Sequence, residues 1–218
     1  MWRKRPMRFN RKSAYVTAST DSPAISTADM KTFLRVDNTD DDAVIAAYVS
    51  TATEACKQYL RLALLTETFV MKADGFQYAG ADDRMLALGP GVHTGSRPYI
   101  LGGGETFDVA YPPLQSVTSV ETFDRSNNVS TFSSDKYQVD LQSGRIYLNE
   151  GETWPSDLRA QDAVKITYVA GYGSGSIPDP ILQAIRGYVE QLYDGCEGMT
   201  AEIKRLLSFY RRGDELAW

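Results

Sequence analysis

The stretch Asp179-Pro180-Ile181-Leu182-Gln183-Ala184-Ile185-Arg186-Gly187-Tyr188-Val189-Glu190-Gln191-Leu192-Tyr193 places apolar side chains at positions 181, 184, 185, 188, 189 and 192. Those intervals trace one face of an α-helix. Asp179 is the expected N-cap, Pro180 stands at the first helical position, where a missing N–H costs nothing, and Gly195 is the expected stop. Gln183, Arg186, Glu190 and Gln191 lie mostly off the apolar face, so the helix needs a partner on one side only. Residues 43–60 supply it: Ile45, Tyr48, Val49, Ala52, Cys56, Tyr59 and Leu60 repeat the spacing behind Asp40, Asp41 and Asp42, acids expected to cap the helix.

Between these helices the hydrophobic period changes to two. Thr66, Thr68 and Val70 alternate with Glu67, Phe69 and Met71, and further strands are expected at 107–110, 117–123, 131–132, 137–139, 145–148 and 164–168. Short strands linked by turns, with no helices between them, predict an antiparallel sandwich or small barrel. The expected fold is therefore α+β: a helical body built from both chain ends, with an antiparallel β lobe inserted. The boundaries read as a leader at 1–25, basic then Ser/Thr-rich and extended; helical body at 26–64; β lobe at 65–170; helical body again at 171–212; and a tail at 213–218. Ser26-Thr27-Ala28-Asp29 has capping-box spacing and starts a short helix running to about Arg35. A last helix is expected over 200–210. Residues 75–104 form a glycine-rich excursion around Met85-Leu86-Ala87-Leu88, long enough to imply a role of its own.

A length of 218 residues with 43% hydrophobic content suffices for a real core. The formal charge of −5 is uneven, because Arg3, Lys4, Arg5, Arg8, Arg11 and Lys12 carry six positive charges in a segment without acids. The rest is near −11, which argues against gripping duplex DNA as a main task. The basic start leads into polar residues rather than an apolar run, and no stretch reaches membrane-spanning length, so a soluble, intracellular product is expected. Cys56 and Cys196 have neither metal-site nor redox spacing and are expected to be free thiols, buried or half-buried.

Chemistry-bearing patterns are sparse. The single histidine, His93, sits in the glycine-rich excursion, away from any nucleophile elbow or zinc-binding helix pattern. Residues 37–48 suggest a calcium loop, but Asp42 stands where the tight glycine belongs and Tyr48 where the closing glutamate belongs. Asp124, Asp135, Asp140 and Glu150 could hide a glycosidase pair, though nothing separates them from turn residues. Gly171-Tyr172-Gly173-Ser174-Gly175-Ser176 follows a strand and precedes a helix, yet Ser176 replaces the third glycine of a dinucleotide loop, so a flexible connector is expected. Gly102-Gly103-Gly104 lacks a following lysine. No catalytic, cofactor or metal residues are assigned, and no enzyme is expected.

Several short runs, in order, resemble the head-to-tail connector (adaptor) family of tailed bacteriophages and related gene-transfer particles. They are Phe33-Leu34-Arg35-Val36-Asp37, Asp41-Asp42-Ala43, Ala52-Thr53-Glu54, Pro112-Pro113-Leu114-Gln115-Ser116-Val117, Tyr137, Gly144-Arg145-Ile146, Trp154-Pro155, Tyr168-Val169-Ala170-Gly171-Tyr172-Gly173 and Ile177-Pro178. The closing Leu206-Leu207-Ser208-Phe209-Tyr210-Arg211 is similar to the family's carboxy end. The resemblance implies a structural protein of the virion, assembled in the bacterial host cytoplasm. It would form a homo-oligomeric ring, typically dodecameric, beneath the portal protein, pass DNA through its channel, and meet the next neck or tail component, a stopper or tail terminator. No cofactor or membrane is implied. From the residues alone, a second reading stands open: a β-rich glycan- or protein-binding module with a helical base.

The carboxy end carries the expected portal-binding residues. Leu206, Leu207, Phe209 and Tyr210 place apolar groups around more than one face of a short helix, a surface too broad for one intramolecular contact. Arg205, Arg211 and Arg212 add guanidinium groups that pair with carboxylates, and Trp218 adds an aromatic anchor. The resemblance points the same way, since such connectors insert their carboxy ends between portal subunits.

Overall fold

The computed structural model describes residues 12–19, 23–76, 106–173, 175–196 and 198–211. Helices α1 (Thr27–Leu34), α2 (Asp42–Leu60), α3 (Asp179–Tyr193) and α4 (Ala201–Ser208) share one core. Strands β1 (Lys12–Ser19), β2 (Glu67–Ala73), β3 (Thr106–Asp108), β4 (Leu114–Phe123), β5 (Val129–Thr131), β6 (Tyr137–Asp140), β7 (Arg145–Leu148) and β8 (Val164–Ala170) form two antiparallel sheets around a second core.

In the helical core, Ile181, Ala184, Ile185, Tyr188 and Val189 of α3 meet Ile45, Val49, Ala52, Cys56 and Leu60 of α2. These are the two faces that the helical period selects. The N-cap of α3 is Pro178, one residue before the expected Asp179, and it makes no side-chain cap bond. Ser26 caps α1 as expected, its Oγ accepting from Asp29 N–H (3.0 Å), while the Asp29 carboxylate accepts from the Ser26 hydroxyl (2.7 Å). The acids before α2 act differently from expectation. Asp41 is the N-cap but makes no side-chain cap bond. Its carboxylate instead accepts from the Tyr193 hydroxyl at 2.8 Å, tying the start of α2 to the end of α3, while Asp42 pairs with Lys31 at 2.6 Å.

The larger sheet has the order β1-β2-β8-β4-β5, with β8 at its centre. Along β8, Val164, Ile166, Tyr168 and Ala170 point into the lobe core, and Phe69 and Met71 on β2 sit opposite Tyr168 and Ile166. Phe69 stacks between Tyr168 and Tyr111, each ring 5.4 Å away, and the Tyr168 hydroxyl donates to the Ala110 carbonyl. The smaller sheet, β3-β7-β6, adds Phe107, Ile146 and Tyr137 to the same core. Two open sheets therefore face one interior. Of the two expected forms it is the sandwich that is realised, and neither sheet closes into a barrel.

Residues 13–19, expected to be an extended leader with little to pack, are extended but paired along β2. The outer edge of β2 presents unpaired N–H and C=O groups, and the β-favouring run Tyr15-Val16-Thr17 satisfies them. The basic segment 1–11 and most of the excursion 75–104, with His93 and Gly102-Gly103-Gly104, lie outside the described residues. The expected helix ends Arg212 and tail 213–218 lie outside them as well.

Besides the link from β1 to α1, two segments of chain pass between the cores, near residues 61–66 and 171–178, and they meet. Gly171 N–H donates to the Pro113 carbonyl (2.8 Å), and Ala63 N–H donates to the Pro112 carbonyl (3.0 Å). The Gln115 side-chain amide donates to the Gly171 carbonyl (2.9 Å) and to Thr66 Oγ1 (2.8 Å). The connector expected to be flexible is thus pinned at its first residue. A Cβ at Gly171 would fall 1.9 Å from the Leu65 carbonyl oxygen, at a φ of +126° that only glycine adopts readily. Beside this crossing, Lys57 of α2 and Glu67 of β2 are both buried, their charged atoms 2.7 Å apart. Burial alone would pull the Lys57 ammonium down, but the carboxylates of Glu67 and Glu54 outweigh it and hold the pKa above the ordinary lysine value.

Two predictions follow from the crossing. Gly171→Ala lowers unfolding free energy by on the order of 3 kcal/mol or more, because backbone must move, whereas Gly175→Ala, with open space around it, costs about 1 kcal/mol of backbone strain. Urea titration of the two variants checks the difference, and equal losses would mean that the crossing is not tight. Because the folded-state pKa of Lys57 is raised, its contribution is complete below pH 10 and is lost as pH rises above roughly 10.5. Lys57→Met leaves Glu67 buried without its partner and costs about 3 kcal/mol at neutral pH, and adding Glu67→Leu recovers most of it. A melting temperature for Lys57→Met equal to that of the parent would refute the pairing.

Candidate functional site

α4 is set against the body by a short return of chain after α3, turned at Gly195 and Gly198, both at positive φ. Ile203 and Leu207 point inward and are buried in the helical core. Gly187 on α3 leaves the seat for Ile203, whose Cδ1 lies 3.8 Å from where a Cβ would be. The Gln191 amide donates to Thr200 Oγ1 at 2.9 Å, and the Tyr59 hydroxyl donates to the Lys204 carbonyl at 3.3 Å. Arg211 lies over the Tyr59 ring, 5.2 Å from its centre.

The apolar groups expected to bind the portal therefore separate. Leu207 is fully buried in the protein's own core and cannot be part of an open surface, which corrects its assignment. Tyr210 is half-buried against the same core. Leu206 is 38% exposed and Phe209, just past the helix end, is 86% exposed. Arg205 is exposed too, and Arg212 and Trp218 lie outside the described residues. What remains on the surface is Arg205, Leu206 and Phe209, with Arg211 at the margin over Tyr59. Tyr59 is a contributor that helical periodicity marked only as core.

Two of the four carboxylates weighed as chemistry, Asp124 and Asp140, hold turns. Asp124 accepts the Asn128 side-chain amide (2.8 Å) and the backbone N–H groups of Asn128 (2.9 Å) and Ser126 (2.8 Å). Those bonds, the Asn128 side chain first, hold its pKa below the usual value. Asp140 does the same for the turn before β7, with the Ser143 side chain the main cause of its lowered pKa. Among the described residues, no group of three or more His, Cys, Asp or Glu is arranged to hold a metal ion, and no helix is long and apolar enough to cross a membrane. Cys56 is buried, its thiol pushed up to about 12 by desolvation, while Cys196 is exposed rather than half-buried, and both are free.

A family model described as head completion protein matches residues 24–194. Sequence comparison with curated proteins gives no match. Solved structures with the same fold include a chain from the neck of an empty gene transfer agent particle computed with C6 symmetry. It is 17% identical, the match covers 94% of this chain and 98% of that one, and the TM-score is 0.68. A chain of the virion of a native gene transfer agent particle is 16% identical over the same shares, with a TM-score of 0.67. A chain from the neck of a native particle computed with C12 symmetry is 17% identical, over 92% and 97% of the two chains, with a TM-score of 0.64.

The division of the last helix is testable by denaturation. Leu207→Ala lowers stability by about 2–5 kcal/mol, as for other fully buried leucines. Phe209→Ser changes it by no more than about 0.5 kcal/mol. A comparable loss from Phe209→Ser would show that its ring is covered within the protomer.

Proposed function

The chain belongs to the head completion protein family, and on that premise we propose that it is a structural head-to-tail connector of a tailed phage or phage-like particle. It forms a ring beneath the portal, continues the DNA channel and receives the next neck or tail protein. The observation that carries this reading is the end-to-end match of fold to neck chains, 94% of this chain against 98% of that one. Twelve copies are the proposed number, in keeping with the C6 and C12 symmetry of those necks. The role is architectural rather than catalytic. A body near −11 outside the basic segment suits a wall past which DNA slides without sticking. The carboxy end is the proposed portal-binding element, through Arg205, Leu206, Phe209, Tyr210, Arg211, Arg212 and Trp218. Exposed Leu206 and Phe209 support it, since large apolar groups left open on a short helix call for a cover.

Native mass measurement of the chain alone and with portal rings tests the proposal, with a defined multiple bound to portal as the expected result. Deleting 213–218, or changing Arg211 and Arg212 to Glu, leaves a folded protein whose co-purification with portal falls at least tenfold. Parental binding by both variants would move the contact elsewhere, most simply to the β lobe. A chain that stays monomeric beside portal would instead favour a β-rich binding module.

A further inference from the structure

The carboxy end of α4 is steadied from outside the helix. With eight residues, α4 is too short to hold its shape alone. Ile203 and Leu207 fix its inner face to the helical core, but both come before its last residue, Ser208. Beyond Ser208 the chain turns through two backbone bonds, Tyr210 N–H to the Leu207 carbonyl (2.9 Å) and Arg211 N–H to the Ser208 carbonyl (3.4 Å). Neither bond sets where the exposed Arg211 side chain points. Tyr59 bears on it directly. Its ring lies under the Arg211 guanidinium, 5.2 Å from the ring centre, and its hydroxyl donates to the Lys204 carbonyl at 3.3 Å. One side chain thus touches this element at two points, within the helix and past its end. Tyr59 is itself held, half-buried against the helical core in the last turn of α2.

We infer that Tyr59 is the positioning residue of the portal-binding end: it holds the Arg211 guanidinium over its ring, so that a carboxylate of the partner meets that group in one direction. The inference rests on the portal reading above and names how that site is ordered. An unstacked arginine gives up side-chain freedom when it is bound, and one already held over an aromatic face has given up part of it beforehand. A cation over a ring is attracted by the negative face of the π-system, and the planar guanidinium also stacks there while donating to a carboxylate. A lysine ammonium keeps the charge and lacks the plane, so it does not replace arginine at such a place. Because Tyr59 belongs to α2, the direction offered is fixed relative to the main helical core and not only to the short helix that carries Arg211.

The test is a double-mutant cycle of Tyr59→Leu and Arg211→Lys, read as the affinity of the chain for portal rings, with Tyr59→Phe as the conservative variant. Each single change weakens binding about two- to fivefold, the worth of a cation over a ring at an exposed place. The double mutant binds no more weakly than the weaker single, because both changes remove the same interaction. Tyr59→Phe keeps the ring, gives up the hydroxyl and binds as the parent does. In the free chain, ring current shifts the Arg211 δ-methylene proton resonances upfield, a displacement that persists in Tyr59→Phe and disappears in Tyr59→Leu. Additive losses in the cycle would overturn the inference, since Tyr59 would then act as a brace for α4 and not through Arg211. Equal losses from Tyr59→Phe and Tyr59→Leu, or an unshifted Arg211 resonance in the parent, would overturn it as well. Parental affinity in Tyr59→Leu would overturn it while leaving the portal reading standing. A parent chain that does not bind portal would remove both.

Discussion

The close approach of Gly171 to the Leu65 carbonyl is the constraint on which the rest of the molecule depends. Two of the chain's three passages between the helical core and the β lobe run through it, one leaving α2 and the other leaving β8. With no Cβ in the way, the two backbones touch, and the Pro112-Pro113 segment of the lobe bonds to both of them through Ala63 and Gly171. The buried Lys57–Glu67 pair lies alongside and penalises separation, because parting them would strand two charges in apolar surroundings.

This crossing gives physical content to the residue runs that suggested a family. Pro112-Pro113-Leu114-Gln115 and Gly171-Tyr172-Gly173 are almost sixty residues apart in sequence and adjacent in space, with the Gln115 amide clasping both the Gly171 carbonyl and Thr66. Gly144 belongs to the same neighbourhood: a Cβ there would lie 2.9 Å from Pro112 Cβ, and the Gly144 carbonyl accepts from Val109 N–H at 2.9 Å. A connector whose β lobe is displayed at a set angle from its helical body needs such a joint, and substitutions in it act on both parts.

Elements defined by their own periodicity were legible in the sequence. α2 and α3 could be read because each has one apolar stripe, and the central strands because Val164, Ile166 and Tyr168 alternate. What was hidden depended on distant partners. β1 is a strand because β2 offers an edge, and a Ser/Thr-rich run shows little of that on its own. Asp41 looked like a cap, but Tyr193, 152 residues away, takes its carboxylate. At the candidate site, the sequence reading grouped Leu207 with Leu206 and Phe209 as open apolar groups, whereas Leu207 shares a buried face with Ile203. That this face is inward, leaving Leu206 and Phe209 outside, required knowing where α2 and α3 sit.

The two cysteines differ in a way that makes the native protein its own reporter. Cys56 is sealed in the core with its thiol held protonated, its pKa near 12, whereas Cys196 stands exposed on the return after α3. A thiol-directed spin label or dye therefore attaches once per protomer, at a single known position, without mutagenesis. In a closed ring, equal labels sit at the corners of a regular polygon. The ratio of nearest to next-nearest label separation depends only on the number of corners, so one spectroscopic distance distribution counts the copies.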